Sequence, residues 1–301
     1  MAKQSANGKR PWHLTPLVAM SDAQYQQWVD LLEARTGIFL PPERKSFLLT
    51  SLSTRIRELN HKDYASYYRY LLSGKEGDVE WEVLVDRLTV HETRFFRDQH
   101  SLDLISKNFL PDYLADSGDP VRVWSVGCAT GEEPYTLAML LDDYMRKERA
   151  GRGFFVSATD ISLGALAAAM RGRYRNNRGA NLPAEYAERY TRRVDSDYFE
   201  VNHDLRQQVS FTQFNVIKPA QARPEEMDII YCQNLLIYFK RERRVAILEH
   251  LIKHLRPGGI LILGPGEITN WNNPLMKSMA CPATLAFQRR ADTVNEQGGG
   301  A

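Results

Sequence analysis

The chain has 301 residues, of which 43% are hydrophobic and 25% are charged, and its formal net charge is only +2. This length is enough for one large domain or two smaller ones. The near-neutral charge gives no indication of nucleic acid binding, and no apolar run reaches the ~18 residues of a membrane span. Three cysteines, far apart in the sequence, form neither a disulfide framework nor a zinc-binding pattern. With a polar N-terminus, these features predict a cytoplasmic protein without direct membrane insertion.

A helical module is predicted at the start of the chain. Residues 1–20 are polar and aperiodic, which predicts a flexible leader, and helical periodicity begins at residue 21. The first helix is expected to begin after Ser21 and to end at Gly37. Three further amphipathic helices are predicted in PPERKSFLLTSLSTRIRELN, DYASYYRYLLSG and DVEWEVLVDRLTV. The segment 21–98 is therefore predicted to be a small all-helical domain.

From residue 99 to residue 290 the pattern predicts an α/β domain. Strands are predicted at 121–126, 153–160, 208–214, 228–232 and 258–264, with a further edge strand at 283–290. Helices are predicted at 131–149, 162–171 and 240–256. This alternation indicates a mostly parallel sheet covered on both faces. Residues 172–207 are too long for a simple loop and are predicted to be an inserted subdomain near the ligand edge, while 291–301 are predicted to be a disordered tail.

The segment VWSVGCATGEEPYTLAML, residues 123–140, combines an apolar strand, a glycine loop and the start of a helix. The patterns GxxxxGKS/T and GxGxxG are absent, and a pyrophosphate would face the carboxylates of Glu132 and Glu133. A ligand with an amino group, a sulfonium and ribose hydroxyls, such as S-adenosylmethionine, suits these acids. Asp160 ends the next strand, where an acidic residue accepts ribose hydroxyls in nucleotide-binding folds. The alternative is that the two glutamates merely begin a helix, whose dipole favours acids.

Five segments together resemble the CheR family of S-adenosylmethionine-dependent methyltransferases, which esterify glutamates of chemotaxis receptors. They are TVHETRFFRD (89–98), VGCATGEEPYTLAM (126–139), ATDIS (158–162), CQNLLIYF (232–239) and LRPGGILILGPGE (255–267). The resemblance covers about residues 21–290. It implies a Rossmann-like class I methyltransferase domain with a mostly parallel seven-stranded sheet behind the helical domain. The implied activity is protein-glutamate O-methylation of methyl-accepting chemotaxis-type receptors in flagellar or pilus-based signalling, with S-adenosylhomocysteine as product.

The resemblance also implies a set of cofactor contacts. They are His91, Thr93, Arg97, Glu133, Asp160, Asn215, Val216, Asn234 and Leu235. Reasoning from the residues alone agrees on Glu133 and Asp160 but does not select Asn215. Two positions depart from the family pattern, since His91 replaces an asparagine and GPGE replaces GHSE at 264–267.

The implied methyl transfer depends more on alignment of the reacting groups than on acid–base catalysis. A glutamate side chain, whose pKa in water is near ~4.3, is already ionised at neutral pH, so no general base is required. Arg97 is predicted to orient that carboxylate bidentately, and Tyr238 to line the methyl pocket. These two are the candidate catalytic residues. The alternatives are a structural salt bridge between the domains for Arg97 and a buried core position for Tyr238.

The second helix carries four basic residues predicted to dock the Glu-rich cytoplasmic helices of a receptor. They are Arg44, Lys45, Arg55 and Arg57. Electrostatic attraction would steer such a helix, whereas the alternative is an ordinary solvated face. His250 and His254 are four residues apart, but no third ligand is evident, so no metal site is expected.

Two further expectations concern partners. The insertion looks shorter than in enteric members, so a tether to the receptor's C-terminal pentapeptide is not expected, and nothing requires more than a monomer. One rival function is methylation of another substrate, a nucleic acid or a small molecule. Another is a regulatory module that binds the cofactor and docks to signalling proteins without turnover.

Overall fold

The computed structural model describes residues 18–116, 118–148, 151–218, 226–281 and 283–291. The predicted leader, apart from residues 18–20, and the predicted tail, apart from residue 291, lie outside the described residues. None of the described helices is both long enough and apolar enough to cross a membrane.

The first part of the chain is a helical unit of four α-helices, as predicted. They are α1 (Asp22–Thr36), α2 (Lys45–Glu58), α3 (Tyr64–Leu71) and α4 (Lys75–Leu88). Ser21 caps α1 by accepting a hydrogen bond from the Gln24 amide at 3.2 Å, and Gly37 ends it in the left-handed conformation. Leu48, Leu52 and Ile56 line one side of α2 and form the centre of the unit's own core. This spacing confirms the predicted helical periodicity.

An extended segment, residues 89–98, leads from the helical unit into the α/β domain. The described part of that domain contains seven α-helices and ten strands. The helices are α5 (Gln99–Asp103), α6 (Leu110–Asp116), α7 (Glu132–Lys147), α8 (Leu163–Arg171), α9 (Ala184–Tyr190), α10 (His203–Gln207) and α11 (Arg241–Leu251). The strands are β1 (Val121–Val126), β2 (Phe154–Asp160), β3 (Arg173–Arg175), β4 (Thr191–Arg193), β5 (Tyr198–Val201), β6 (Val209–Gln213), β7 (Met227–Cys232), β8 (Leu255–Leu263), β9 (Met276–Ser278) and β10 (Leu285–Arg289). A π-helical stretch, Leu104–Phe109, joins α5 to α6.

Seven of these strands form the main sheet in the order β6-β2-β1-β7-β8-β10-β9. The first five are parallel, and β10 and β9 add antiparallel pairs, which confirms the predicted mostly parallel sheet. The prediction of an edge strand at 283–290 was wrong in position, because β10 lies between β8 and β9. The true edge strand, β9, has only three residues, too few to give a periodic signal in the sequence.

Both faces of the sheet are covered. Val123 and Trp124 are neighbours on β1 and point to opposite faces. Val123 packs in a cluster that includes α7 and the insertion, whereas Trp124 packs in a cluster that includes α11. Burial on both sides explains why the strands read as continuous apolar runs and not as alternating ones.

The insertion forms a subdomain, as predicted, and the structure shows that it has a small sheet of its own. Strands β3, β5 and β4 pair antiparallel in that order, and α9 lies between β3 and β4 in the chain. Tyr174 of β3 and Phe199 of β5 join the core cluster that α7 also lines. The inserted subdomain (residues 172–207) is therefore packed firmly against the α/β domain.

Candidate functional site

The candidate site lies beyond the carboxyl ends of the parallel strands. A glycine loop, residues 127–131, follows β1, and Asp160 ends β2. Asn215 follows β6 and Asn234 follows β7, so the connections from four adjacent strands meet at this edge. They line a main cavity with about 820 Å³ of empty space. This is the edge at which open α/β sheets bind ligands.

The helical unit forms one wall of the main cavity. Ile38, Leu40 and Arg44 line it, and His91 contributes from the segment that follows α4. Hydrogen bonds hold the two parts together, because the Asn215 side-chain amide donates to the Arg35 carbonyl at 2.8 Å. The cavity is therefore built jointly by the helical unit and the α/β domain.

Asp160 presents a buried carboxylate to the main cavity. Its Oδ2 accepts the Ala129 amide at 2.8 Å, and its Oδ1 accepts the Ser162 amide at 2.9 Å. Burial raises the pKa of Asp160, although these amides and the nearby His91 act in the opposite direction. The Ile161 amide bonds to this carboxylate as well, so three amides leave one of its four lone-pair sites for a hydroxyl donor from a ligand.

A small pocket with about 300 Å³ of empty space lies beside the main cavity and is lined by Thr93, Arg97 and Glu133. Glu133 Oε1 accepts the Ser125 hydroxyl at 2.7 Å. Burial raises the pKa of Glu133 to about 8, with a further increase from the neighbouring negative charges. A carboxylate held in this way favours a cationic ligand group, because an opposite charge stabilises its ionised form.

Glu132 and Glu133, which the sequence places side by side, have different surroundings. Glu132 is fully buried and pairs with Arg178 of the inserted subdomain at 2.6 Å, while Thr130 donates its hydroxyl to the other oxygen. It lines neither the main cavity nor the small pocket. The interpretation that both acids face the ligand was therefore wrong for Glu132, because consecutive helical residues point in different directions.

Sequence reasoning missed a buried carboxylate, Glu267. Its two oxygens accept the amides of Gly264 and Leu236 at 2.6 and 2.8 Å, and the amides of Asn234 and Leu235 also bond to it. Asn234 has a φ of 60°, in the left-handed region that residues other than glycine seldom adopt and that asparagine tolerates better than most. Glu267 therefore fixes the turn after β7. The signal was present in the sequence, since GPGE keeps the glutamate of GHSE.

The predicted cofactor contacts fall into two adjoining groups. Those that line the main cavity are His91, Asp160, Asn215, Val216, Asn234 and Leu235, together with the candidate catalytic Tyr238. Those that line the small pocket are Thr93, Arg97 and Glu133. Arg97 donates to the Glu92 carbonyl at 2.9 Å, and His91 Nε2 lies 2.8 Å from the Thr89 hydroxyl. The structure thus brings all ten residues to one continuous edge of the domain.

The four basic residues of the predicted docking face are not equivalent. Arg44 lines the main cavity, Arg57 is exposed, and Lys45 pairs with Asp22 at 3.0 Å. Arg55 instead binds the buried carboxylate of Glu80 and also pairs with Glu58. Its guanidinium belongs to the unit's internal network, which argues against a docking role for Arg55.

Two family models match the chain. The one described as "CheR methyltransferase, SAM binding domain" matches residues 91–285, and "CheR methyltransferase, all-alpha domain" matches residues 23–89. The chain belongs to the CheR methyltransferase family. These matches cover the α/β domain with its cavity and the helical unit, and they confirm the class I methyltransferase fold that the sequence predicted.

Several relatives carry the name chemotaxis protein methyltransferase. The relative from Borreliella burgdorferi is 30% identical and covers 82% of this chain and 88% of its own length. Chemotaxis protein methyltransferase 2 of Vibrio cholerae is 33% identical and covers 83% of this chain and 87% of its own length. The Escherichia coli protein is 31% identical and covers 84% of this chain and 87% of its own length. A solved structure of the N-methyltransferase NodS from Bradyrhizobium japonicum, in complex with S-adenosylhomocysteine, has a TM-score of 0.32 and 16% identity, covering 66% of this chain and 71% of its own.

The cofactor of this CheR chain is S-adenosylmethionine, and the residues at the site fit it. Glu133 offers a buried carboxylate that an ammonium would stabilise, although the nearby Arg97 charge already acts to lower its pKa. Asp160 offers a free lone-pair site for a ribose hydroxyl. Gly127, with a φ of 80°, lets Leu235 approach the backbone, because an added Cβ would lie 3.0 Å from its side chain.

Proposed function

We propose that the chain transfers the methyl group of S-adenosylmethionine to glutamate side-chain carboxylates of methyl-accepting chemotaxis-type receptors. The glutamyl methyl esters would serve adaptation in chemotaxis or pilus-based motility. In this proposal residues 99–290 catalyse the transfer, residues 21–98 bind the receptor's cytoplasmic helical domain, and the protein acts as a cytoplasmic monomer. The names of the relatives, which match this chain over 82–84% of its length, support the proposal.

The observation that carries the proposal is the distribution of charge around the two pockets. Each pocket combines a carboxylate with a guanidinium group: Glu133 and Arg97 line the small pocket, and Asp160 and Arg44 line the main cavity. An anionic substrate would approach these arginines, while the positively charged cofactor would bind the acids. A glutamate carboxylate fits this division of charge better than a cationic amine does.

Each candidate residue has a role that its surroundings support. When bound, the cofactor supplies an electrophilic methyl group on its sulfonium. Glu133 holds the cofactor's ammonium, and Asp160 accepts a ribose hydroxyl. Burial raises the pKa of Tyr238, so its hydroxyl stays protonated at neutral pH and can donate to a substrate oxygen. Arg97 orients the attacking carboxylate, so that the enzyme's main contribution is alignment, worth up to ~7–11 kcal/mol.

We place receptor docking on α2 and the turn just before it, and we assign it to Arg44, Lys45 and Arg57. Arg44 lies closest to the chemistry because it lines the main cavity, and Arg57 is exposed to solvent. Long-range attraction between this face and a Glu-rich helix would speed encounter and depend on salt. The proposal assigns neither a pentapeptide tether to the inserted subdomain nor a nucleic acid to the protein.

The experiment is transfer of tritiated methyl from S-adenosylmethionine to receptor-containing membranes, followed by alkali and counting of volatile methanol. Alkali-labile counts are expected, and they should disappear in Asp160→Ala but persist in Asp204→Ala, which removes a fully exposed carboxylate. Alkali-stable counts would contradict the ester and indicate a different substrate. Cofactor binding without any counts would favour a regulatory module.

A further inference from the structure

The inserted subdomain contacts the glycine loop through two side chains that do not line the main cavity. Glu132, at the start of α7, has no exposed side-chain surface, and burial raises its pKa. Among the described residues, Arg178 is the cation paired with Glu132, and its guanidinium lies 2.6 Å from Glu132 Oε1. A buried carboxylate therefore depends on a charge from the inserted subdomain, supplied by the 3₁₀-helical turn Asn176–Gly179 that follows β3.

A second contact joins the same two parts of the molecule. The Tyr174 hydroxyl donates to the Thr130 carbonyl at 2.8 Å, and the Tyr174 ring packs edge-on against Phe95 with ring centroids 5.0 Å apart. Gly131 lies directly beneath it, because an added Cβ would lie 3.0 Å from the Tyr174 oxygen. Tyr174 is thus a buried support for the backbone of the glycine loop.

These supports lie next to the loop residue that faces the cofactor site. Ala129 has a φ of 47°, a left-handed conformation that costs free energy for a residue with a Cβ, and its amide donates to Asp160. Such a conformation persists only when its surroundings determine it. The contacts at Thr130 and Glu132 provide that constraint from outside the loop.

We infer that Arg178 and Tyr174 are positioning residues for the cofactor, acting through the glycine loop. They hold Ala129 where its amide orients the Asp160 carboxylate, although neither side chain lines the main cavity. Loss of either contact lets the loop populate other conformations. The apparent affinity for the cofactor then falls in proportion to the fraction of molecules whose loop keeps the binding-competent conformation. This inference rests on the cofactor site and is independent of the proposed receptor substrate.

The test measures binding of S-adenosylhomocysteine by calorimetry, without any methyl acceptor. Arg178→Gln is expected to weaken binding about tenfold, because it leaves the buried Glu132 carboxylate without its ion pair. Tyr174→Phe is expected to weaken binding about fivefold, the range of one lost hydrogen bond. The matched control is Arg175→Gln, which changes an exposed arginine of β3 whose described contact is with the Tyr198 ring. Combining Arg178→Gln with Glu132→Gln should restore binding to within about threefold of wild type, because no buried charge is left unpaired.

Hydrogen exchange of the cofactor-free protein separates positioning from unfolding of the subdomain. Amides 129–131 should exchange faster in Arg178→Gln and Tyr174→Phe, while the amides of β5 keep their protection. At saturating cofactor the methyl-transfer kcat should stay near wild type and only the KM for S-adenosylmethionine should rise. Unchanged binding in both variants would overturn the inference, and so would a loss of protection in β5 that accompanies the weaker binding.

Discussion

Cofactor binding should expel a proton from Glu133. In the protein without cofactor, burial and nearby carboxylates raise the pKa of Glu133 to about 8, so the group is mostly protonated at pH 7. The cofactor's ammonium stabilises the ionised form and not the protonated one. Binding therefore lowers this pKa, and the affinity must rise with pH up to the pKa of the free protein.

The expected magnitude follows from the fraction of Glu133 that is ionised. With a pKa of about 8, this fraction is about 1% at pH 6 and about 9% at pH 7. The affinity for the cofactor should therefore rise about tenfold between pH 6 and pH 7, which corresponds to about 1.4 kcal/mol of binding free energy. The comparison stops at pH 7 because an α-amino group, with a pKa of about 7.7–8.0, remains protonated below it.

The assay is calorimetric titration with S-adenosylhomocysteine at pH 6 and pH 7, in buffers that differ in their enthalpy of ionisation. Wild type should release about one more proton per cofactor bound than Glu133→Gln does. That variant keeps the shape of the side chain, and it leaves the titration of Asp160 and His91 in place. Equal proton release in the two proteins would show that Glu133 is already ionised and would refute the reasoning.

Three substitutions test other parts of the structure by chemical denaturation. Glu267→Ala should lower the free energy of unfolding by about 1–3 kcal/mol, because backbone amides lose a buried acceptor, and should weaken cofactor binding as well. Gly37→Ala should lower the free energy of unfolding by about 2 kcal/mol, because the alanine would have to keep a left-handed φ and its Cβ would lie 2.6 Å from Ile217. A loss below ~0.5 kcal/mol would contradict this reasoning. Arg55→Ala should lower the free energy of unfolding by about 3 kcal/mol, because it leaves the buried Glu80 carboxylate unpaired. Arg57→Ala, at an exposed position, should lower it by less than ~0.5 kcal/mol. Equal losses in the two variants would argue against an internal role for Arg55.

The main features of the fold and site follow from local patterns in the sequence. Hydrophobic runs and their lengths predict β1 and β2, and the glycine loop lies between β1 and a helix whose start is visible in the chain. Asp160 was predictable because it ends a buried strand, and the ends of parallel strands meet at one edge. The family resemblance added Asn215, which carries no such signal.

Other features depend on contacts between distant segments. The sequence treats Glu132 and Glu133 alike, yet the inserted subdomain provides a counter-ion to one and the small pocket receives the other. Arg55 looks like its neighbours on α2 until the buried Glu80, from another helix, is placed beside it. Side-chain pairing at long sequence separation has no periodic pattern, so these differences were found only in the structure.

The most direct test of the central claim is to locate the transferred methyl group. A receptor's cytoplasmic fragment is incubated with the protein and S-adenosylmethionine that carries a deuterated methyl, and the modified peptides are sequenced by tandem mass spectrometry. We predict a labelled methyl ester on glutamate side chains, absent from a parallel sample with Glu133→Gln at limiting cofactor. A label on lysine, arginine or a backbone terminus would contradict the account.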